Sequence, residues 1–375
     1  MVEPHKYYGR TFAYQEFMRA EGIPIHHALV GVEDVTALPR APWARTGGLA
    51  TFVELRGTYQ AQRGIYIGEI PGEGALDPER HLYDEQIFIL RGRGAAQVWQ
   101  GEGEKLTFEW GTGSVFAFPR CTWHRLFNGS GEPVIYMAVT TAPAVMNAID
   151  DLDLIFNCDY PYQPLLRDGD HYFQASDLRT NEGSYGAVVW HTNFIPDCTR
   201  QQVDNAEYKV SGGQLTNYRM ASRFPQGHIS AWPTGRYHKA HYHEPGAILL
   251  GLDGEGYVLA WDSALGPHPY QNGRGSEVMK VNWRQNSIYS PPNAYYHQHF
   301  NTGPGPARHI AVYGLPQPMT VHGMEGADGF IGLISSRDGG TLIDYEDEDP
   351  QVRSDYEAAL RQNGLVCTMP AVQYR

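Results

Sequence analysis

Long hydrophobic runs, positive charge and paired cysteines are all scarce in this 375-residue chain. No apolar stretch approaches the roughly 18 to 20 residues that cross a bilayer, so a membrane-spanning helix is not expected. Lys and Arg number 29 against 42 Asp and Glu, a formal net charge of −13, and the clustered basic face needed for a nucleic-acid partner is missing. The four cysteines, Cys121, Cys158, Cys198 and Cys367, are widely spaced, with no CxxC pair and no dense disulfide pattern. The start, MVEPHKYYGR, has no basic segment followed by an apolar one, and a cytoplasmic protein is the expectation. There is no GxSxG elbow for serine-based hydrolysis. Nor does a glycine-rich phosphate loop run from strand into helix; the Gly-rich stretches at 91–94 and 253–256 read as hairpin turns.

What is plentiful points to β-structure. The 42 Gly, 25 Pro and 24 Tyr suit many short strands joined by tight turns. Period-two alternation runs through QRGIYIGEI, EQIFILRGRGAAQVW, GSVFAFP and VIYMAVTT, and strand-like segments return in AILLGLDGEGYVLAW, NSIYSPP and ARHIAVYG. The length suits two domains of similar size. The composition divides the chain into an N-terminal arm (1–48), a first β-domain (49–145), a linker (146–207), a second β-domain (208–316) and a C-terminal segment (317–375). The arm holds a helical patch at Tyr14–Ala20; the last segment predicts a helix with Asp349 as N-cap, Pro350 at its first position and Gly364 as its stop. The acidic run Asp344–Asp349 reads as a solvated loop or helix entry.

The chain repeats itself. His81, Glu85 and Gly92 stand a constant 162 positions before His243, Ala247 and Gly254, and Trp110, Pro119, His124 and Asn128 stand 173 before Trp283, Pro292, His297 and Asn301. The step of 11 falls at the longer connection ALGPHPYQNGRGSE, and insertions belong in loops. His241 and His243, two apart on a strand, share one face, and in a small barrel that face can be the interior. A third imidazole, His297, arrives from a later strand. Three neutral imidazoles suit Fe, Zn, Cu or Ni and leave positions open for substrate, water or dioxygen.

The pattern resembles the cupin superfamily, whose two motifs run roughly G-x5-H-x-H-x3-E-x6-G and G-x5-P-x-G-x2-H-x3-N. Gly235, His241, His243, Gly254, Pro292, His297 and Asn301 carry it in the second copy; His81, Glu85, Gly92, Gly113, Pro119, His124 and Asn128 carry it in the first. The resemblance covers about residues 49–145 and 208–316. It implies a mainly all-β protein of two tandem cupin barrels, each a double-stranded β-helix or jelly roll, with helical or irregular arm, linker and C-terminal segments.

Departures from the motif shape the expected chemistry. The fourth cupin ligand, a Glu, is Ala247 in the second copy, and the remaining three histidines resemble the Fe(II) dioxygenases related to gentisate and salicylate dioxygenase. Glu244 adjoins His243 and is expected to face away from it. In the first copy the first histidine of the pair is Glu79, so His81, Glu85 and His124, with Glu79 as a second carboxylate, form either a less certain metal site or a decayed one. Near the second site, His299 and His238 are candidate acid/base residues, and Arg236, Gln298, Tyr296 and Trp232 candidate substrate contacts. Asn128 and Asn301 read as loop braces.

The resemblance therefore implies an Fe(II) dioxygenase acting with O2 on a hydroxylated aromatic acid or an enolisable dicarbonyl. A non-oxidative Mn(II) or Zn(II) decarboxylase or isomerase is the first alternative, and a binding or storage bicupin the second. The arm also looks suited to covering a barrel of a neighbouring copy, as in a homodimer.

Overall fold

In the computed structural model, which describes residues 6–7, 10–181, 188–207, 209–220, 226–243, 246–314 and 331–375, the two halves of the repeat build two barrels of the same plan. The first holds β1 (Leu49–Leu55), β2 (Gly64–Ile70), β3 (Glu85–Arg91), β4 (Arg93–Trp99), β5 (Leu106–Gly111), β6 (Val115–Phe118), β7 (Trp123–Asn128) and β8 (Val134–Thr140). The second holds β9 (Gln214–Arg219), β10 (Gln226–Trp232), β11 (Ala247–Asp253), β12 (Gly256–Asp262), β13 (Met279–Trp283), β14 (Ile288–Tyr289), β15 (Tyr295–Asn301) and β16 (Ala307–Tyr313). Each is a jelly roll of two sheets: β6-β3-β8-β2-β1 over β5-β4-β7, and β14-β11-β16-β10-β9 over β13-β12-β15. The long connection of the second copy joins β12 to β13, which pair.

Gly92 and Gly254 sit at φ 102° and 82°, where a Cβ is poorly tolerated. Each is a corner, which corrects the expected hairpin turn: β3 pairs with β6 and β8 while β4 pairs with β5 and β7, and the second barrel repeats this. The chain crosses there from one sheet to the other. Asn128 and Asn301 brace equivalent loops, Nδ2 of Asn128 donating to the carbonyls of Ile70, Pro71 and Glu132 and that of Asn301 to those of Trp232 and Gly305.

Every residue of β8 is buried, because one face of its sheet looks into the first barrel and the other onto the second. Tyr66, Phe116, Phe118 and Tyr136 fill the first barrel. Val53, Ile67, Phe88, Leu90 and Met137 meet Ile229, Leu250, Ile310 and Val312 in a core that both barrels share. Polar contacts pin the same interface: Arg63 donates to the Tyr313 carbonyl at 2.8 and 3.0 Å, and Gln86 to the Tyr218 hydroxyl at 3.0 Å.

The arm and the linker cover sheet edges, whose unpaired backbone groups would otherwise be open to another chain. Ile25–Ala28 and Ala41–Pro42 pair with β1, and Gly31–Val32 crosses to β14 of the second barrel. Phe194–Ile195 returns from the linker to β6, and Val189–His191 lies parallel to β9. The described strands of the arm thus pair within their own chain, one of them with the second barrel.

The C-terminal helix, Pro350–Gln362, has Asp349 capping the Gln351 amide at 3.1 Å, and Gly364 follows at φ 70°. Val352, Tyr356 and Leu360, four apart, pack with Tyr237, Tyr257 and Phe300 on the outer face of the second barrel's smaller sheet. The acidic run before it is not solvated throughout, contrary to the expectation. Glu348 and Asp349 are buried; Glu348 accepts from the Tyr237 hydroxyl and, at 3.0 Å, from Gln298, and Asp349 caps the Tyr270 and Gln271 amides at 2.8 Å. Among the described residues no helix is long and apolar enough to cross a membrane.

Candidate metal centres

One local pairing builds a polar cluster in each barrel. Glu79 bridges to His124 of β7 in the first, and His241 bridges to His297 of β15 in the second, so the repeat read from the sequence is also a repeat of backbone pairing. His81 and His243 lie two residues beyond Glu79 and His241 on these extended stretches and return to the same face.

In the first barrel the ligand atoms of His81, Glu85 and His124 lie within 4.8 Å of one another, all buried. Nε2 of His81 and Nε2 of His124 are each 3.5 Å from Oε2 of Glu85. Ligands about 2.1 Å from an ion stand roughly 3.0 to 3.5 Å apart, so this spacing suits one first-row divalent cation. The tautomers suit it too. Nδ1 of His81 donates to the Tyr83 carbonyl at 2.8 Å and Nδ1 of His124 to the Thr122 carbonyl at 3.1 Å, which leaves both Nε2 lone pairs facing inward. Neither Nε2 has a hydrogen-bond partner. Two buried acceptors left unsatisfied beside a carboxylate are the environment that a cation satisfies.

The Tyr66 hydroxyl donates to Oε1 of Glu85 at 2.6 Å. Burial alone would push the Glu85 carboxyl up, but the His124 and His81 rings that face it outweigh this and hold it well below its ordinary value. Glu79 behaves oppositely: burial, reinforced by Glu85, pushes it up to about 7. Its Oε1 is 3.9 Å from Nε2 of His124, outside the gathered donor atoms, so the expected second carboxylate stands beside the set. The adjoining cavity, lined by Tyr66, Glu79, Phe118 and Tyr136, is only about 10 Å³, the scale of one water.

In the second barrel the ring nitrogens of His241, His243 and His297 also lie within 4.8 Å of one another, and here one member, His243, is only half-buried. Nδ1 of His241 donates to the Lys239 carbonyl at 3.0 Å and Nδ1 of His297 to the Tyr295 carbonyl at 3.2 Å, the same arrangement as in the first barrel. Nε2 of His241 is met at 2.8 Å by Nζ of Lys209, so an ion held there displaces this amine. Burial lowers Lys209 to about 7. Its backbone carbonyl accepts from the Lys239 amide and the Tyr345 hydroxyl, fixing it between the histidine strand and the C-terminal segment. No motif marks Lys209 in the sequence. Glu244 lies outside the described residues.

Strand alternation redistributes the other candidates. On β15, His297 and His299 face inward, whereas Tyr296 and Gln298 face outward: Tyr296 stacks on Trp261, and Gln298 is bound to Glu348. Neither reaches the cluster, which corrects their expected substrate contacts. Arg236 donates through one guanidinium nitrogen to the Ser211 carbonyl at 2.9 Å. Trp232 is buried in the barrel core, its ring 4.5 Å from that of His238, and is closed off from a ligand at the mouth.

His238 and His299 face inward on the core side of the three histidines, their rings 5.2 Å apart and His299 5.6 Å from His297. The sequence reading missed what they join. The Tyr289 hydroxyl lies 3.1 Å from Nδ1 of His299 and 2.5 Å from Nδ1 of His309; one hydroxyl hydrogen serves only one of them, so the other ring presents its N–H. By the repeat, His238, Tyr289, His299 and His309 occupy the positions of Leu76, Phe116, Leu126 and Tyr136. A mostly apolar set in one barrel is an imidazole network in the other. The register offsets, applied to inward positions, were the available signal.

These imidazoles set a pH dependence for the metal-free protein. Burial depresses His228 and His309 to about 3 and His238, His241, His297 and His299 well below the ordinary value of 6.5. A depressed imidazole stays neutral in the folded chain while the unfolded chain takes up a proton, so stability is full above 6.5 and is lost as pH falls towards 3. Glu79 and Glu348, both raised to about 7, act oppositely, losing stability as pH rises from 4.5 to 7, but are outnumbered. The urea midpoint of chelator-treated protein is therefore expected to fall between pH 7 and 5. A midpoint that holds or rises contradicts this account.

Residues 67–140, spanning most of β2 through β8, match the family model described as Cupin domain. That match falls within the first barrel. No curated protein matches the chain. Among solved structures, a mutant of Bacillus subtilis oxalate decarboxylase is similar at 12% identity over 77% of this chain and 78% of that one, with a TM-score of 0.47. The coconut allergen cocosin is similar at 14% identity over 76% and 85%, with a TM-score of 0.49. Likeness at that level says nothing of substrate or metal; the second barrel repeats the strand order of the first.

Proposed function

We propose that this bicupin is a metal-dependent enzyme whose chemistry takes place at His241, His243 and His297, with a second, enclosed ion held by His81, Glu85 and His124. The observation that carries the assignment is the difference in access: the first set is wholly buried beside a cavity of about 10 Å³, whereas His243 is half-buried. Among the described residues the second set is the more open to a substrate.

Three neutral imidazoles bring no negative charge, so the full charge of a divalent ion would face the ligand and favour an anion that chelates. Lys209, displaced from His241 when an ion is held there, adds an amine that can donate to the anion at the same place. The substrate class is accordingly an anionic chelator, a hydroxylated aromatic acid or an enolisable dicarbonyl. Fe(II), when bound, would supply dioxygen chemistry, and the resemblance of the three-histidine set to Fe(II) dioxygenases favours that reaction. The chain's own work is to orient His241 and His297 through the Lys239 and Tyr295 carbonyls and to present Lys209 to the anion. His238 and His299, whose rings pack beside the three histidines, would tune the cluster.

A second reading, a non-oxidative Mn(II) or Zn(II) decarboxylase or isomerase, draws on the His81, Glu85 and His124 set with the raised carboxyl of Glu79 beside it. Oxygen uptake separates the two. Iron-reconstituted protein is expected to consume dioxygen with one of these anionic chelators and to be silent without air; substrate loss under strict anaerobiosis would replace the dioxygenase with the non-oxidative enzyme.

A further inference from the structure

Cys121 and Cys158 lie 37 positions apart, yet their Sγ atoms are 2.7 Å from each other. Both residues sit on segments held in place independently of the sulfurs. Cys121, with its backbone at φ 60°, donates its amide to the His81 carbonyl at 2.7 Å. Cys158 directly follows the linker helix Leu152–Asn157, where the Ile155 carbonyl accepts from the Leu82 amide at 2.8 Å and the Asn157 carbonyl accepts from Arg80 at 2.8 Å. The linker helix thus lies along the loop that carries His81, and the two sulfurs meet where it ends.

We propose that Cys121 and Cys158 are a reversible disulfide site that fastens the linker helix over the His81 loop when a small-molecule disulfide such as oxidised glutathione is the oxidant. Cys158, the more accessible thiol, attacks the oxidant as its thiolate, forming a mixed disulfide and releasing one glutathione thiol. Cys121, buried against it, then loses its proton and attacks Sγ of Cys158, which breaks the mixed bond and releases the second glutathione. Two thiol hydrogens leave with the two glutathione molecules; the protein thiols are oxidised and the glutathione disulfide is reduced. Cys121 is buried and Cys158 is not, so Cys121 resolves the mixed disulfide and does not initiate. Reducing conditions reopen the bond, as suits a redox-responsive pair in a chain with no dense disulfide framework.

The test is alkylation and peptide mass mapping of the full-length protein before and after oxidised glutathione, together with amide hydrogen exchange. Two of the four thiols are expected to disappear, with a cross-linked peptide joining Cys121 and Cys158 that is lighter by two hydrogens and reverts with dithiothreitol. Exchange at Leu82 should slow on oxidation, and Cys121→Ser should instead accumulate Cys158 bearing glutathione. Four alkylatable thiols after oxidation, or wild-type Cys158 found only as the glutathione adduct, would overturn the proposal. So would a cross-linked form whose Leu82 exchange is unchanged.

Discussion

Replacing His297 with alanine is expected to remove one equivalent of metal per chain and abolish turnover while leaving the ion of the first barrel in place. His297 contributes the Nε2 that faces His241 and His243, its ring 4.4 Å from the first and 5.1 Å from the second. Loss of partners that merely orient ligands reduces metal affinity about 10- to 100-fold, and loss of the ligand itself should exceed that. Glu85→Ala is the complementary variant: it exposes two buried imidazoles to each other without their carboxylate and should release the other equivalent. Elemental analysis per chain of the wild type and both variants, with near-ultraviolet circular dichroism to show that packing survives, reads this directly. Should His297→Ala keep the full metal content and activity, the second barrel would no longer be the reactive centre. A wild type holding one equivalent, lost only with Glu85→Ala, would move the chemistry to the first barrel.

The second large effect is on stability. Phe88 lies on β3 and faces the core shared by both barrels, with 1% of its surface exposed. Phe88→Ala should cost about 3 to 5 kcal/mol, the range for deleting a buried aromatic ring and leaving a cavity. Because the cavity would open between the sheets, amides of β11 and β16 in the second barrel should lose protection along with those of β3 and β8 in the first. Hydrogen exchange on the variant measures both at once. Full protection of β16 with loss confined to β8 would mean that the barrels are stable separately and that their contact contributes little.

Much of the fold was legible because periodicity is local. Alternation marked the strands, and the constant offsets of 162 and 173 aligned two barrels whose bridging pairs, Glu79 with His124 and His241 with His297, coincide in the structure. The same alternation, applied to β15, would have turned Tyr296 and Gln298 outward before any coordinates were seen. Arg236 offered less to go on: it stands beside the histidine stretch in sequence, but adjacency does not set direction, and one of its guanidinium nitrogens donates to the Ser211 carbonyl.

The sequence by itself determined the strands, their repeat at constant offsets and the terminal helix, each from periodicity or spacing, while the two jelly rolls entered as what the cupin resemblance implies. Only the tertiary structure decided that Lys209 meets His241, that Glu348 closes over Gln298 and Tyr237, that Cys158 reaches Cys121, and that β8 is covered on both faces. Each of these joins segments remote in sequence that carry no repeat relating one to the other. A strand's period says which face is apolar or polar; what comes to cover that face is settled by how sheets, arm and tail pack around a common core.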